Sequence, residues 1–511
     1  MGNETTWRRM SSLTSGLVAL GWATPAFAHA ADRGFVLLLP TGYYMLGGAA
    51  AVAASFVILA LLPPAPLERL ATWRLTLGRL GMGGRAWTSM ASFLVVCALL
   101  CAGVAGSRDP LSNPLPLMFW TVWWVGLTLL VAVAGNAWRW LEPWYGPWRL
   151  AQALMRHGEG AAPPAALPKR LGYWPAIALF AGFAWFELVY PAPDDPYRLA
   201  IVLACYWLFN FAGMMLFGHR AWTERVECFS VFFAMIAKMA VVGRGSAAQA
   251  APPPPPDPLP GQPAYDPSTT LRVPPLLHSA GEEPALALRL PGAGAADAPP
   301  LPASGVLFLL LALSTVSYDG LMRTFFWLDA IGVNPLEFPG RSALIVPNTL
   351  GLLAAFAALA ALFYGAVALG EKLVPGGPGA ARAAGALVWS ILPISLAYHF
   401  SHYLVALVLN GQYALAAISD PLSRGWNLFG TAGYHVLAGA TSGAESAWVV
   451  WNLQAAAIVG GHVLAVAIAH VIAYRLHGDA RRAAESQMPL ALLMIGYTIF
   501  GLWLLSSPTG Y

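Results

Sequence analysis

The chain has 511 residues, 58% of them hydrophobic and only 10% charged, with 21 tryptophans. Soluble domains carry about 25% charged residues, so this is not a soluble globular chain. The net charge of +4 is scattered through short loops instead of forming a stripe, which excludes nucleic acid as a partner.

In chain order, the first feature is a basic start, a short apolar core and Ala26-Phe27-Ala28. That is the pattern of a cleaved secretory signal, residues 1–28, with cleavage after Ala28 or Ala30. Apolar segments follow near 42–62, 88–106, 117–137, 174–190 and 198–217. A second set lies near 304–321, 346–369, 384–409, 449–474 and 488–506. A helix of about 20 apolar residues crosses a bilayer. The expected fold is therefore all-α: a polytopic integral membrane helical bundle of about ten spans after a cleaved signal peptide. The spans form two five-span groups, an N-terminal membrane bundle over 29–217 and a C-terminal one over 305–511. Between them, 218–250 reads as an interfacial or re-entrant helix, and 251–304 as a Pro/Gly/Ala-rich linker without a core. Cys97, Cys101, Cys205 and Cys228 lie in or beside apolar segments, without zinc or disulfide spacing.

Loop charge orients the spans. The basic loops 63–87, 138–173, 371–383 and 475–487 all fall on the cytoplasmic side only if 226–242, broken by Glu227 and Lys238, does not cross. Both ends of the mature chain are then outside, with the lipid bilayer as the surrounding partner.

Ionisable groups within spans mark functional hypotheses. They are Glu187, Asp319, His399, His402, His462 and His470. Residues three apart on a helix differ by about 60°, so His399 and His402 share a face. The orientation places Glu187, Asp319, His399 and His402 toward the outer side and His462 near mid-membrane. Imidazoles plus a carboxylate suit a divalent metal ion such as zinc, manganese or iron. The expected ligands are His399, His402, His462 and Asp319, with Asp319 and Glu187 as catalytic residues. The bland alternative is that each imidazole bonds a neighbouring helix; His470 fits that role. Loops 410–447 and 322–345 lie on the same side as candidate lids.

The stretches "WFELVYPAPDDP", "FGHRAWTERVECFSVFF", "STVSYDGLMRTFFW", "AYHFSHYLVALVLNGQY", "ISDPLSRGWNLFGTA" and "GGHVLAVAIAHVIA" together resemble the bacterial membrane proteins labelled fenitrothion hydrolase. The resemblance covers most of the chain except the signal and the linker. It implies a phosphoric triester hydrolase of the bacterial inner membrane, which cleaves the aryl–O–P bond of apolar aryl phosphorothioates. No catalytic residue comes with it. A metal hydroxide would supply the attacking water, although H-E-x-x-H and G-x-x-x-x-G-K motifs are absent from the sequence. A second membrane subunit is a further candidate partner. Two alternatives stand beside this: a His/Asp-lined transporter, and a metal- or haem-binding subunit of a membrane oxidoreductase.

Overall fold

The computed structural model describes residues 40–79, 83–155, 162–244, 285–334, 340–437, 439 and 443–509. The signal segment and the larger part of the Pro-rich segment, 251–284, lie outside them. Ten apolar helices make up the described bundle: α1 Thr41–Leu61, α2 Arg85–Ala105, α3 Pro114–Ala134, α4 Trp174–Leu188, α5 Pro196–Phe217, α6 Ala303–Met322, α7 Arg341–Leu373, α8 Ala380–Ala417, α9 Glu445–His477 and α10 Ala480–Ser506. Nine are long and apolar enough to cross a membrane; α4, with 15 residues, is shorter. At 1.5 Å per residue α4 covers about 22 Å, less than the hydrocarbon core of about 30 Å. Helices dominate for a simple reason: hydrocarbon offers the backbone no hydrogen bonds, and a helix makes its own.

One end of the bundle carries a small antiparallel sheet, ordered β1 (Arg74–Arg79), β3 (Ala285–Arg289), β2 (Val242–Arg244). Its central strand comes from the stretch read as a linker. Residues 285–301 are thus part of the fold: beyond the strand, Ala293, Ala295 and Leu301 are buried. The alternation in Ala285-Leu-Ala-Leu-Arg289 suits a strand, but its partners lie far away in sequence.

The two groups of spans are also not separate bundles. α1 packs against α9 and α10, with the Tyr44 hydroxyl donating to Asn452 Oδ1 at 3.1 Å. At the other helix crossings, α6 is enclosed by α4, α7 and α8.

The segment between the groups holds a short helix packed inside the bundle. The helix Cys228–Ile236 has nine residues, every one buried. Glu227 caps its start, accepting from Ser230 N at 2.6 Å and Phe229 N at 3.0 Å, and from the Tyr206 hydroxyl. Tyr206 lies halfway along α5, so the helix begins at mid-depth. It then runs back to the sheet, where Val241 N donates to Val133 O at 3.0 Å.

Arg289 on β3 anchors the end of this segment. Its guanidinium donates to Ala240 O and Ala237 O, each at 2.8 Å. Burial, and then Arg74 beside it, push its pKa down to about 10, while Asp297 opposes them; it stays charged at neutral pH. Cβ atoms at Gly243 and Gly294 would come within 2.4 and 2.2 Å of that guanidinium, so a side chain at either position would push it away from its carbonyls. Arg289→Met should therefore cost about 1–3 kcal/mol for each carbonyl left unsatisfied. Gly294→Ala should act in the same direction. Thermal midpoints in detergent check both, and unchanged midpoints would remove Arg289 as the anchor.

Candidate functional site

At the end opposite the sheet, α4, α6 and α8 bring five polar side chains together. The centre is Asp319, whose side chain is 1% exposed. His402 Nε2 lies 2.6 Å from its Oδ2, and Arg323 Nη2 lies 2.8 Å from its Oδ1. Arg323 is four residues after Asp319, one helical turn along α6. Tyr403, adjacent to His402, faces two carboxyl groups with one hydroxyl proton: Glu187 Oε1 at 2.8 Å and Asp319 Oδ2 at 3.2 Å.

The frame around the cluster is held from α7. Arg341 donates to the Glu187 and Tyr190 carbonyls at 3.2 and 3.3 Å, capping the end of α4. Trp185 Nε1 donates to Thr349 Oγ1 at 2.9 Å. In the loop after α4, burial pushes the Asp194 carboxyl up, and Arg341 and Arg323 oppose it. Asp319 is sealed, yet His402 and Arg323 keep 16% and 31% of their side chains exposed. The cluster therefore has a buried anchor and a partly exposed edge.

His399 lies one turn deeper. Its ring stands edge-on to Trp124 at 5.2 Å and packs on Tyr403 at 4.9 Å. Trp124 belongs to a π-helical stretch of α3, Leu117–Leu127, and such wide turns recur at functional positions. His399 borders a cavity of about 20 Å³ with Thr128, Thr315 and Ser395 in its wall. That is room for one or two waters, and far too little for an aryl ester. His399 Nε2 has no protein partner among the described residues.

His462 belongs elsewhere. Its Nδ1 lies 2.8 Å from Ile458 O of its own helix, and its ring packs on Tyr398 and Tyr497. The four expected metal ligands thus split: His402 and Asp319 touch, His399 is one turn away, and His462 is in another cluster. Among the described residues no group of three or more His, Cys, Asp and Glu is placed to hold a metal ion. The carboxylate of the expected set already faces a guanidinium, which repels a second cation. These residues do not fit a metal centre as arranged. His470, expected to be structural, has Nδ1 at 3.2 Å from Gln487 Oε1.

Sequence reasoning missed Tyr403 and the pairing of Arg323. The second was findable, because Asp and Arg four apart on a helix are natural partners.

The chain is an all-α polytopic membrane helical bundle with a buried ionic cluster at one end. No protein-family model matches it, and neither the curated proteins nor the solved structures give a match.

If Asp319 is the buried anchor, removing its cation should cost more than removing the pair. Arg323→Leu should destabilise by about 3–5 kcal/mol, and Arg323→Leu/Asp319→Leu by clearly less. Denaturation of the two variants in detergent checks the order; equal losses would mean that the carboxylate is not buried as charge.

Proposed function

We propose that this chain is a hydrolase of the bacterial inner membrane, acting on neutral organophosphorus triesters of the aryl phosphorothioate kind. The observation that carries the proposal is the His402–Asp319 contact at 2.6 Å, with the imidazole at the partly exposed edge of the cluster. The resemblance to fenitrothion hydrolases supports the substrate class. An apolar triester partitions into lipid, and a charged diester would lose hydration on approaching apolar helices.

In this proposal Asp319 fixes the imidazole by accepting from Nε2–H, which leaves Nδ1 free to act as base. Nδ1 takes a proton from water while the water oxygen attacks phosphorus. The P–O(aryl) bond breaks, and the phenolate leaves and recovers the proton from the imidazolium. Arg323 offers its remaining N–H donors to the charge that develops on the phosphoryl or thiophosphoryl group. Glu187 acts through Tyr403 as a positioning residue and does not contact the reacting atoms. The loop charges support an outward-facing site end and a cytoplasmic sheet end.

Membranes containing the chain should release phenol from an aryl phosphorothioate faster than from a charged phosphodiester. His402→Ala and Asp319→Asn should each lower the rate by about 10²–10⁴-fold, while His470→Ala keeps most of it. If neither the chain alone nor the chain with a co-expressed partner subunit exceeds the His402→Ala background, the hydrolase is ruled out. Turnover lost to chelator and restored by a divalent cation would return the attacking water to a metal. For orientation, an impermeant thiol reagent on intact cells should label Ser112→Cys and spare Arg481→Cys.

A second function is favoured by one contact: Tyr403 joins Glu187 of α4 to Asp319 of α6. Two buried carboxyl groups around one hydroxyl suit a proton-coupled transporter. Proton movement in proteoliposomes that Glu187→Gln abolishes, in the absence of hydrolysis, would favour it.

A further inference from the structure

The loop between α8 and α9 has a composition unlike a water-facing connection. From Gly425 to Ala444 it carries no Asp, Glu, Lys or Arg. Within it Trp426, Leu428, Phe429, Tyr434 and Leu437 are 43, 59, 68, 42 and 63% exposed. Five large apolar side chains turned outward within one short loop require a cover.

Several backbone amides of the same loop are taken up by nearby protein groups. Asp420 accepts from Arg424 N and Gly425 N, both at 2.8 Å. Ser419 takes Leu428 N on its carbonyl and Phe429 N on its hydroxyl oxygen, each at 3.0 Å. Asn427 Oδ1 accepts from Ala432 N at 3.0 Å, and Gln412 Oε1 from Leu437 N at 2.9 Å. Several loop amides are thus taken up by protein side chains while the large apolar side chains point outward, with Asn427 and His435 exposed among them. That inverts the usual arrangement of a surface loop, and it is what a segment meeting lipid requires.

Depth agrees. A Cβ on Gly106, just past the end of α2, would lie 2.9 Å from Pro421 O. The start of the loop is therefore level with the end of a spanning helix, where the hydrocarbon meets the headgroups. Its surface continues the lipid-facing sides of α8 and α9, where Leu415, Trp448 and Val449 are exposed.

We propose that residues 426–437 form a wedge seated in the headgroup–acyl boundary of the leaflet at the site end. Phe429 and Leu428 enter the acyl region, and Trp426 and Tyr434 sit at headgroup level, as indole and phenol rings prefer. This stands apart from the proposed hydrolysis: it concerns how the chain meets lipid, whatever the cluster does.

The test uses the full chain in phosphatidylcholine–phosphatidylglycerol vesicles, with Cys97, Cys101 and Cys205 replaced by Ser and the buried Cys228 kept. A bimane probe is attached at Leu428→Cys, Phe429→Cys, Leu94→Cys on the lipid face of α2, and Arg481→Cys on the watery sheet end. Lipid carrying a shallow spin label should quench the probe at 428 and 429 about twofold more than at 481, approaching 94. Aqueous iodide should show the reverse order. Iodide quenching at 428 and 429 equal to that at 481 would overturn the wedge in favour of a water-exposed lid. Protection from both quenchers would overturn it in favour of a protein cover, a second subunit or a second copy.

Discussion

A carboxylate held among apolar helices cannot borrow solvation from water, so protein groups must replace it. At Asp319 that requirement organises the whole site end. Arg323 supplies one cation from the next turn of α6, and His402 reaches in from α8. Tyr403 then has no choice of direction: its hydroxyl meets the same carboxylate and ties in Glu187 from α4. Arg341 in turn closes the end of α4. Four helices are thus aligned by one buried negative charge.

The bundle contains a second set of the same residue types, which shows what makes the first one interesting. Near the sheet end, Glu142 lies between Arg85 and His219, with His219 Nε2 at 3.0 Å. Burial pushes the Glu142 carboxyl up, but His219 and Arg85 together hold it below its usual range. Tyr145 and Trp148 pack on the His219 ring, leaving that side chain 6% exposed. Chemistry needs access as well as charge. Around Asp319 the histidine and arginine remain partly open, and around Glu142 the histidine is sealed, which suits a structural lock.

The same need for protein partners is met in two other parts of the chain. The helix Cys228–Ile236 begins inside the bundle because Glu227 satisfies its first amides there. The α8–α9 loop turns several amides toward Ser419, Asp420 and Asn427 and its rings outward. Both follow from one rule: where water is scarce, a backbone group must find a protein partner.

Much of this was legible from residues alone. Apolar segments about as long as a bilayer is thick announce helices, because length and composition are local properties. The sidedness of the basic loops kept 226–242, interrupted by Glu227 and Lys238, from being counted as a span, and His470 was placed outside the cluster. His402 and Asp319 were singled out because an ionisable side chain in hydrocarbon needs a reason. Their joining, and the separation of His462, were not legible. Helical spacing fixes which residues share a face within one helix, whereas the crossing of helices fixes which faces meet. The strand at Ala285–Arg289 was hidden for the same cause, since its partners come from segments remote in sequence. Sequence by itself determined the class of protein, the count of apolar helices and the short list of polar residues. Only tertiary structure decided which of those residues touch, because contact between helices depends on packing that no single segment encodes.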